Sequence, residues 1–164
     1  MGSFQMKTPL IITSKNLETT IKIGIEIGKS VQPGDCILLN GSLGVGKTQI
    51  VKGIGLGLNI LDVVSSPTFV IVKSYEGKFK LHHVDLYRID KTEELSQLGL
   101  YDLQLDDGII AVEWANKAFE EFPEESLNIN IKYSKQNNTR KITLSSSHQR
   151  YNKILKKLED NFIT

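Results

Sequence analysis

Apolar and polar residues alternate with a period of two over Leu127–Tyr133. Leu127, Ile129, Ile131 and Tyr133 share one side, and Asn128, Asn130 and Lys132 share the other. This pattern predicts a half-exposed antiparallel strand, which the polar "QNNT" turn connects to a return strand at 140–145. Residues 109–113, within "IIAVEW", are instead almost continuously apolar, as in a buried strand. A strand is also predicted at 36–40, after the Pro33-Gly34 turn, and another in the opening "PLIITS".

Helical spacing appears where Leu17, Ile21 and Ile25, with Ile27 or Gly28, fall on or near one face, so Ser14 is read as the cap of a helix running to about Ser30. A last helix is predicted over 148–161 from Tyr151, Ile154, Leu155 and Leu158. A third begins near Lys47, its end weakened by Gly53, Gly55 and Gly57. "SSPTF" opens an extended segment through about Ser74, with a hairpin turn at Glu76-Gly77 and a return strand over 79–86. Asp90 with Glu93 reads as a capping box for a short helix to Leu98, followed by an acidic loop to Gly108. These elements predict an α/β fold: one P-loop NTPase-like domain over 1–164, with a mixed, mostly parallel sheet, antiparallel C-terminal strands and flanking helices. At 164 residues and 40% hydrophobic content, one compact domain is expected.

The net charge of +1 offers no global field for nucleic acid, but the charge is unevenly placed. Asp90 to Glu125 holds eleven acids against Lys91 and Lys117, whereas Lys132 to Lys157 holds eight bases and no acid. The basic run fits a docking or RNA-facing surface. Solvated faces look the same, and that is the preferred reading. Cys36 is the only cysteine, which excludes an internal disulfide and suits a reducing cytosol. No apolar run approaches the ~18 residues of a membrane span, and "MGSFQMKTP" lacks the apolar core of a secretory signal, so a cytoplasmic location is expected.

The chemistry concentrates in "GSLGVGKT", Gly41 to Thr48, which reads G-x-x-x-x-G-K-[ST] between a predicted strand and a predicted helix. Gly41, Gly44 and Gly46 permit positive φ and close approach, so the N–H groups of Ser42, Leu43, Val45 and their neighbours can converge on phosphate oxygens at a helix N-terminus. Lys47 is placed for the β- and γ-phosphates and Thr48 for Mg²⁺. Hydrolysis needs further groups. Glu113 ends a buried strand, where α/β sheets present ligands, and is the first choice for the acid holding Mg²⁺. Asp85, at the end of another strand, is a second metal-site acid, the group orienting the attacking water, or a strand-end cap. Thr68, in "SPTF", stands where a switch threonine would sense Mg²⁺ and γ-phosphate. His82 and His83 alternate faces and so cannot share one metal; they read as hydrogen-bonded structural histidines. "NKAF" has Phe119 where a guanine-binding N-K-x-D has aspartate, so adenine is preferred.

"GSLGVGKT", "SPTF", "HVDLYR" and "VEW", in this order and spacing, resemble the TsaE (YjeE) family of small bacterial P-loop ATPases, over about residues 10–145. The resemblance implies ATP and Mg²⁺ as cofactors, and action with TsaB and TsaD in forming threonylcarbamoyladenosine at position 37 of tRNAs reading ANN codons. Any tRNA contact would be indirect, and no membrane is involved. By motif it assigns Gly41–Thr48 to the phosphates, Thr48 and Glu113 to Mg²⁺, Thr68 to the switch and Asp85 to hydrolysis. Tyr87, Arg88 and Trp114 become partner or regulatory residues. By looser alignment it puts the base pocket near Thr13 and Lys135. Asn116 stands where the family often has an acid after "EW". The alternatives are a small-molecule kinase, disfavoured because residues 89–112 contain no arginine for a lid, and a chain that keeps ATP as a structural ligand only.

Overall fold

The computed structural model describes residues 8–67, 71–105 and 107–163. Strand β1 (Leu10–Ser14) leads into helix α1 (Leu17–Ser30), then β2 (Cys36–Gly41) and α2 (Lys47–Gly57). The hairpin β3 (Val72–Tyr75) and β4 (Leu81–Asp85) precedes a 3-10 helix over Thr92–Leu98 and the short α3 (Leu100–Leu105). Strand β5 (Ile109–Glu113), the hairpin β6 (Leu127–Tyr133) and β7 (Arg140–Ser145), and α4 (Asn152–Phe162) complete the chain.

All seven strands form one mixed sheet in the order β1-β7-β6-β2-β5-β4-β3. Its centre, β6-β2-β5-β4, is parallel, and its two flanks are antiparallel: β1 on β7, β7 on β6, and β3 on β4. Burial explains the two hydropathy patterns. In β2 and β5, Ile37, Leu39, Ile109 and Ala111 pack toward α1, α2 and α4, while Leu38, Ile110 and Val112 pack on the other face against Leu86, Leu95, Ala115 and Phe122. Both faces are covered, so these strands read as continuous apolar runs. In β6 and β7 Ile129, Ile131, Ile142 and Leu144 are buried, whereas Asn130, Lys132 and Lys141 are exposed.

Several local expectations are corrected. The cap of α1 is Asn16, whose Oδ1 accepts from the Thr19 N–H at 2.8 Å. Ser14 is instead the buried end of β1, hydrogen-bonded to the Thr20 hydroxyl at 2.7 Å. The capping pair after β4 is shifted by one residue, with Glu94 accepting from the Lys91 N–H at 3.3 Å. The stretch expected as a loop to Gly108 contains α3. The last α-helix starts at Asn152, after a 3-10 turn over Gln149–Tyr151.

Helix α2 ends at Gly57, but its glycines do more than weaken that end. Gly53 and Gly57 face Gly24 and Gly28 of α1, and a Cβ on Gly53 would lie 2.2 Å from the Ile21 carbonyl oxygen. Both helices carry glycine at i and i+4, so each presents a bare stripe and the backbones touch. This contact seats α2, the helix that follows the glycine-rich loop, against α1. The basic run is also not a uniform solvated face. Arg140 is buried, Arg150 pairs with Asp35, Lys156 with Glu159 and Asp160, and Lys157 with Glu26. Burial also pushes the Cys36 thiol up to about 11, which suits a core residue. Among the described residues no helix is long and apolar enough to cross a membrane.

Candidate functional site

Parallel strands β2, β5 and β4 all end at one edge of the sheet, and their carboxyl ends deliver the glycine-rich loop, Glu113 and Asp85 to it. Asp85 and Glu113 are register partners on adjacent strands. This is the edge at which open α/β sheets bind ligands. A cleft of about 420 Å³ lies there, lined by Leu17, Leu43, Gly44, Gly46, Lys47, Thr48, Gln49, Ser66, Asp85, Tyr87, Glu113, Trp114 and Arg140. The volume falls in the range of small-molecule sites.

The loop has the conformation its glycines allow. Gly44 and Gly46 have φ of 77° and 125°, and a Cβ on Gly41 would lie 2.6 Å from the Ile131 carbonyl oxygen. Gly46 is the N-cap of α2 and makes no side-chain cap, so the first N–H groups of that helix are left for a ligand. Ser42 and Leu43 are exposed at the loop tip, and Val45 is buried beneath it. Lys47 is 4% exposed as a residue, and its ammonium reaches the loop. It donates to the carbonyls of Gly41 and Ser42 at 2.6 and 2.9 Å and sits 4.3 Å from the centre of the Trp114 ring. Burial pulls its pKa below the ordinary lysine value, against the opposing charges of Glu113 and Asp85.

The Thr48 hydroxyl donates to Glu113 Oε1 at 2.7 Å. His83 Nε2 lies 2.9 Å from the same oxygen and, facing a carboxylate, is the donor. His83 is fully buried, and its Nδ1 has no partner among the described residues. Asp85 is buried with both oxygens engaged, Oδ2 by the Ser66 hydroxyl and Oδ1 by the Tyr87 N–H, each at 3.0 Å. It therefore caps the strand end and also ties down the segment leading to Thr68, which lies outside the described residues.

These residues fit magnesium and a nucleoside triphosphate. Glycine-lined N–H groups and a buried ammonium suit phosphates. No cluster of three metal-ligating side chains occurs among the described residues. Mg²⁺ is usually held by one or two protein oxygens together with substrate phosphates and water. Thr48 and Glu113 would be those oxygens.

Trp114 has φ of 57°, an uncommon left-handed conformation for a bulky residue. Its ring meets that of Tyr87 in a tilted contact, with centroids 5.1 Å apart, and Lys117 donates to the Tyr87 and Ile89 carbonyls, joining the two loops. Asn116, next to it, donates its N–H to Asn40 Oδ1 at 2.7 Å. Arg88 is exposed and does not line the cleft, whereas Arg140 does. Thr13, exposed on edge strand β1, and Lys135, exposed beyond β6, also lie outside the lining.

Sequence reasoning missed His83 as a partner of Glu113, Ser66 as a partner of Asp85, and Arg140. Strand parity carried one usable signal: His83 and Asp85 share a face two residues apart. Nothing local pointed to Arg140.

Comparison with known proteins gives a consistent family. The family model described as "Threonylcarbamoyl adenosine biosynthesis protein TsaE" matches residues 14–142. The tRNA threonylcarbamoyladenosine biosynthesis protein TsaE of Treponema pallidum is 32% identical over 132 residues, spanning 80% of this chain and 97% of the relative. Its counterpart in Bacillus subtilis is 38% identical over 144 residues, spanning 87% and 89%. The crystal structure of YdiB from Bacillus subtilis superposes with a TM-score of 0.81 at 34% identity, covering 95% of this chain and 97% of that one.

Proposed function

The chain belongs to the TsaE family of tRNA threonylcarbamoyladenosine biosynthesis proteins, and from that premise we propose that it is the ATP-binding and ATP-hydrolysing accessory of that modification. It would act with TsaB and TsaD at adenosine 37 of tRNAs reading ANN codons, in the cytoplasm. The observation that supports the ATPase reading best is the convergence, in one cleft, of a glycine-shaped phosphate loop with Lys47, Thr48, Glu113 and Asp85.

In this reading the loop N–H groups and the α2 N-terminus cradle the phosphates, and Lys47 moves from the Gly41 and Ser42 carbonyls to the β- and γ-phosphates. Bound Mg²⁺ supplies Lewis-acid polarisation of the transferred phosphoryl group. Thr48 and Glu113 hold that ion, and His83 keeps the Glu113 carboxylate turned toward Thr48. Asp85 orients the attacking water, and through Ser66 it senses the position of the segment that carries Thr68. Tyr87, Arg88 and Trp114 lie on the two loops at the cleft mouth, where a docking partner would meet them. The test is phosphate release by the protein alone and with TsaB and TsaD added. Slow turnover alone and acceleration by the partners are expected. Rapid turnover unchanged by partners would count against the accessory role.

Three further results are expected. Trp114 is the only tryptophan, and its ring faces the Lys47 ammonium, so ATP should change its emission as the lysine turns to phosphate. Lys47→Ala should weaken ATP binding about ten- to a hundredfold, the worth of a charge-assisted contact of roughly 1.5–3 kcal/mol. Unchanged affinity in that titration would sink the phosphate-loop assignment. His83→Leu should lower Mn²⁺ affinity of the ATP complex about 10- to 100-fold, as loss of an outer-shell partner does. His83→Gln, whose amide nitrogen replaces Nε2, should recover most of it. Equal affinities in the two variants would reduce His83 to a packing residue.

A further inference from the structure

We propose that Tyr133 and Arg140 are positioning residues that hold the phosphate loop in its anion-binding shape from outside the motif. The proposal rests on reading that loop as a phosphate cradle. The two residues are register partners where β6 and β7 join their turn. Each donates to one of two consecutive loop carbonyls: Tyr133 Oη to Gly44 O at 2.9 Å, and Arg140 Nε to Val45 O at 2.6 Å. The guanidinium is itself fixed, with Nη1 on the Asn138 carbonyl at 3.0 Å and its centre 5.5 Å from the Tyr133 ring centre.

In a trans peptide the C=O and the next N–H point in opposite directions. Holding the Val45 carbonyl toward Arg140 therefore turns the Gly46 N–H away from the hairpin. The Gly44–Val45 peptide is held on both sides, because the Val45 N–H donates to Ser42 O at 3.2 Å while Tyr133 holds the carbonyl. Gly44 and Gly46 flank these peptides with positive φ and little intrinsic preference. Left alone, such a loop would lose backbone entropy when a ligand ordered it; clamped by a folded hairpin, it loses that freedom on folding instead. Arg140 is buried and Tyr133 is 55% exposed, so an exposed hydroxyl spends its donor on this loop.

Tyr133→Phe, Arg140→Lys and Arg140→Met are compared with the unaltered protein for affinity toward ATP and inorganic tripolyphosphate, and for thermal midpoint. Tyr133→Phe should weaken both ligands equally, by about 2- to 10-fold, for one neutral hydrogen bond, with the midpoint unchanged. Both arginine variants should weaken both ligands by about 10- to 100-fold, the range for a charged donor, because lysine restores the charge but not the Nε contact. The proposal is overturned if Tyr133→Phe binds both ligands normally, if Arg140→Lys restores full affinity, or if only ATP binding suffers, which would make the pair a base contact. If the Arg140 variants do not fold, the exposed Tyr133 hydroxyl carries the test alone. Failure of the unaltered protein to bind either ligand would overturn the phosphate-cradle reading itself, and the clamp with it.

Discussion

Glu113→Gln is expected to keep ATP bound and to lower magnesium-dependent hydrolysis by at least about 100-fold, the upper end of what outer-shell partners alone cost. Glutamine keeps the oxygen that accepts from Thr48 and His83, so the buried network stays satisfied and only the charge is removed. The loop N–H groups and Lys47 still hold the phosphates, and their binding should fall no more than a few-fold, on the order of one neutral hydrogen bond. Phosphate release and nucleotide titration on the same variant separate the two effects. Full turnover by Glu113→Gln would mean that Asp85 carries the metal. Each Asp85 oxygen accepts a hydrogen bond, from Ser66 or from Tyr87, and a carboxylate oxygen has a second lone pair with which it would do so.

The largest loss of stability is expected from Gly53→Ala. On an exposed helix face the change from glycine to alanine stabilises by roughly 0.4–1 kcal/mol. Here the added methyl would lie 2.2 Å from the Ile21 carbonyl oxygen and 2.8 Å from Gly24 Cα. Both are backbone, which cannot rotate away, so the helices must separate. Overpacking of this kind costs about 1–3 kcal/mol and sometimes more, and for a chain of this size each kcal/mol lowers the melting midpoint by about 2–4 °C. A fall of roughly 2–12 °C follows from those two ranges, read by circular dichroism or calorimetry. A rise in the midpoint would show that the α1–α2 contact is looser than its glycines indicate. Because α2 begins with Lys47 and Thr48, ATP affinity should fall in parallel.

Most of the architecture was legible because hydropathy patterns report burial. The double-sided burial of β2 and β5, the one-sided burial of β6 and β7, and the strand–loop–helix setting of Gly41–Thr48 all follow from residue type and order. The family, too, is carried by short local motifs. Errors arose where local chemistry was ambiguous. Ser14 and Asn16 are both good caps, and the choice was made by Ser14 being drawn into β1 and bonded to Thr20. Gly53 and Gly57 looked like weakness in a helix because the partner stripe, Gly24 and Gly28, lies on another helix, and Gly55 because Val64, which it faces, lies beyond the helix end.

The sequence by itself determined the glycine-rich loop between strand and helix, the two strand-end carboxylates and the class of fold, because each depends on residues adjacent in the chain or on a repeating period. Only the tertiary structure decided that His83 holds Glu113, that Ser66 engages Asp85, that Lys117 joins the two cleft loops, and that Arg140 leaves the basic run to grip Val45. Those contacts join residues 19 to 95 positions apart. They depend on strand order, hairpin register and the depth of a glycine-lined helix contact. None of these has a local signature, since a side chain's partner across a sheet is set by how the strands pair rather than by its neighbours in the chain.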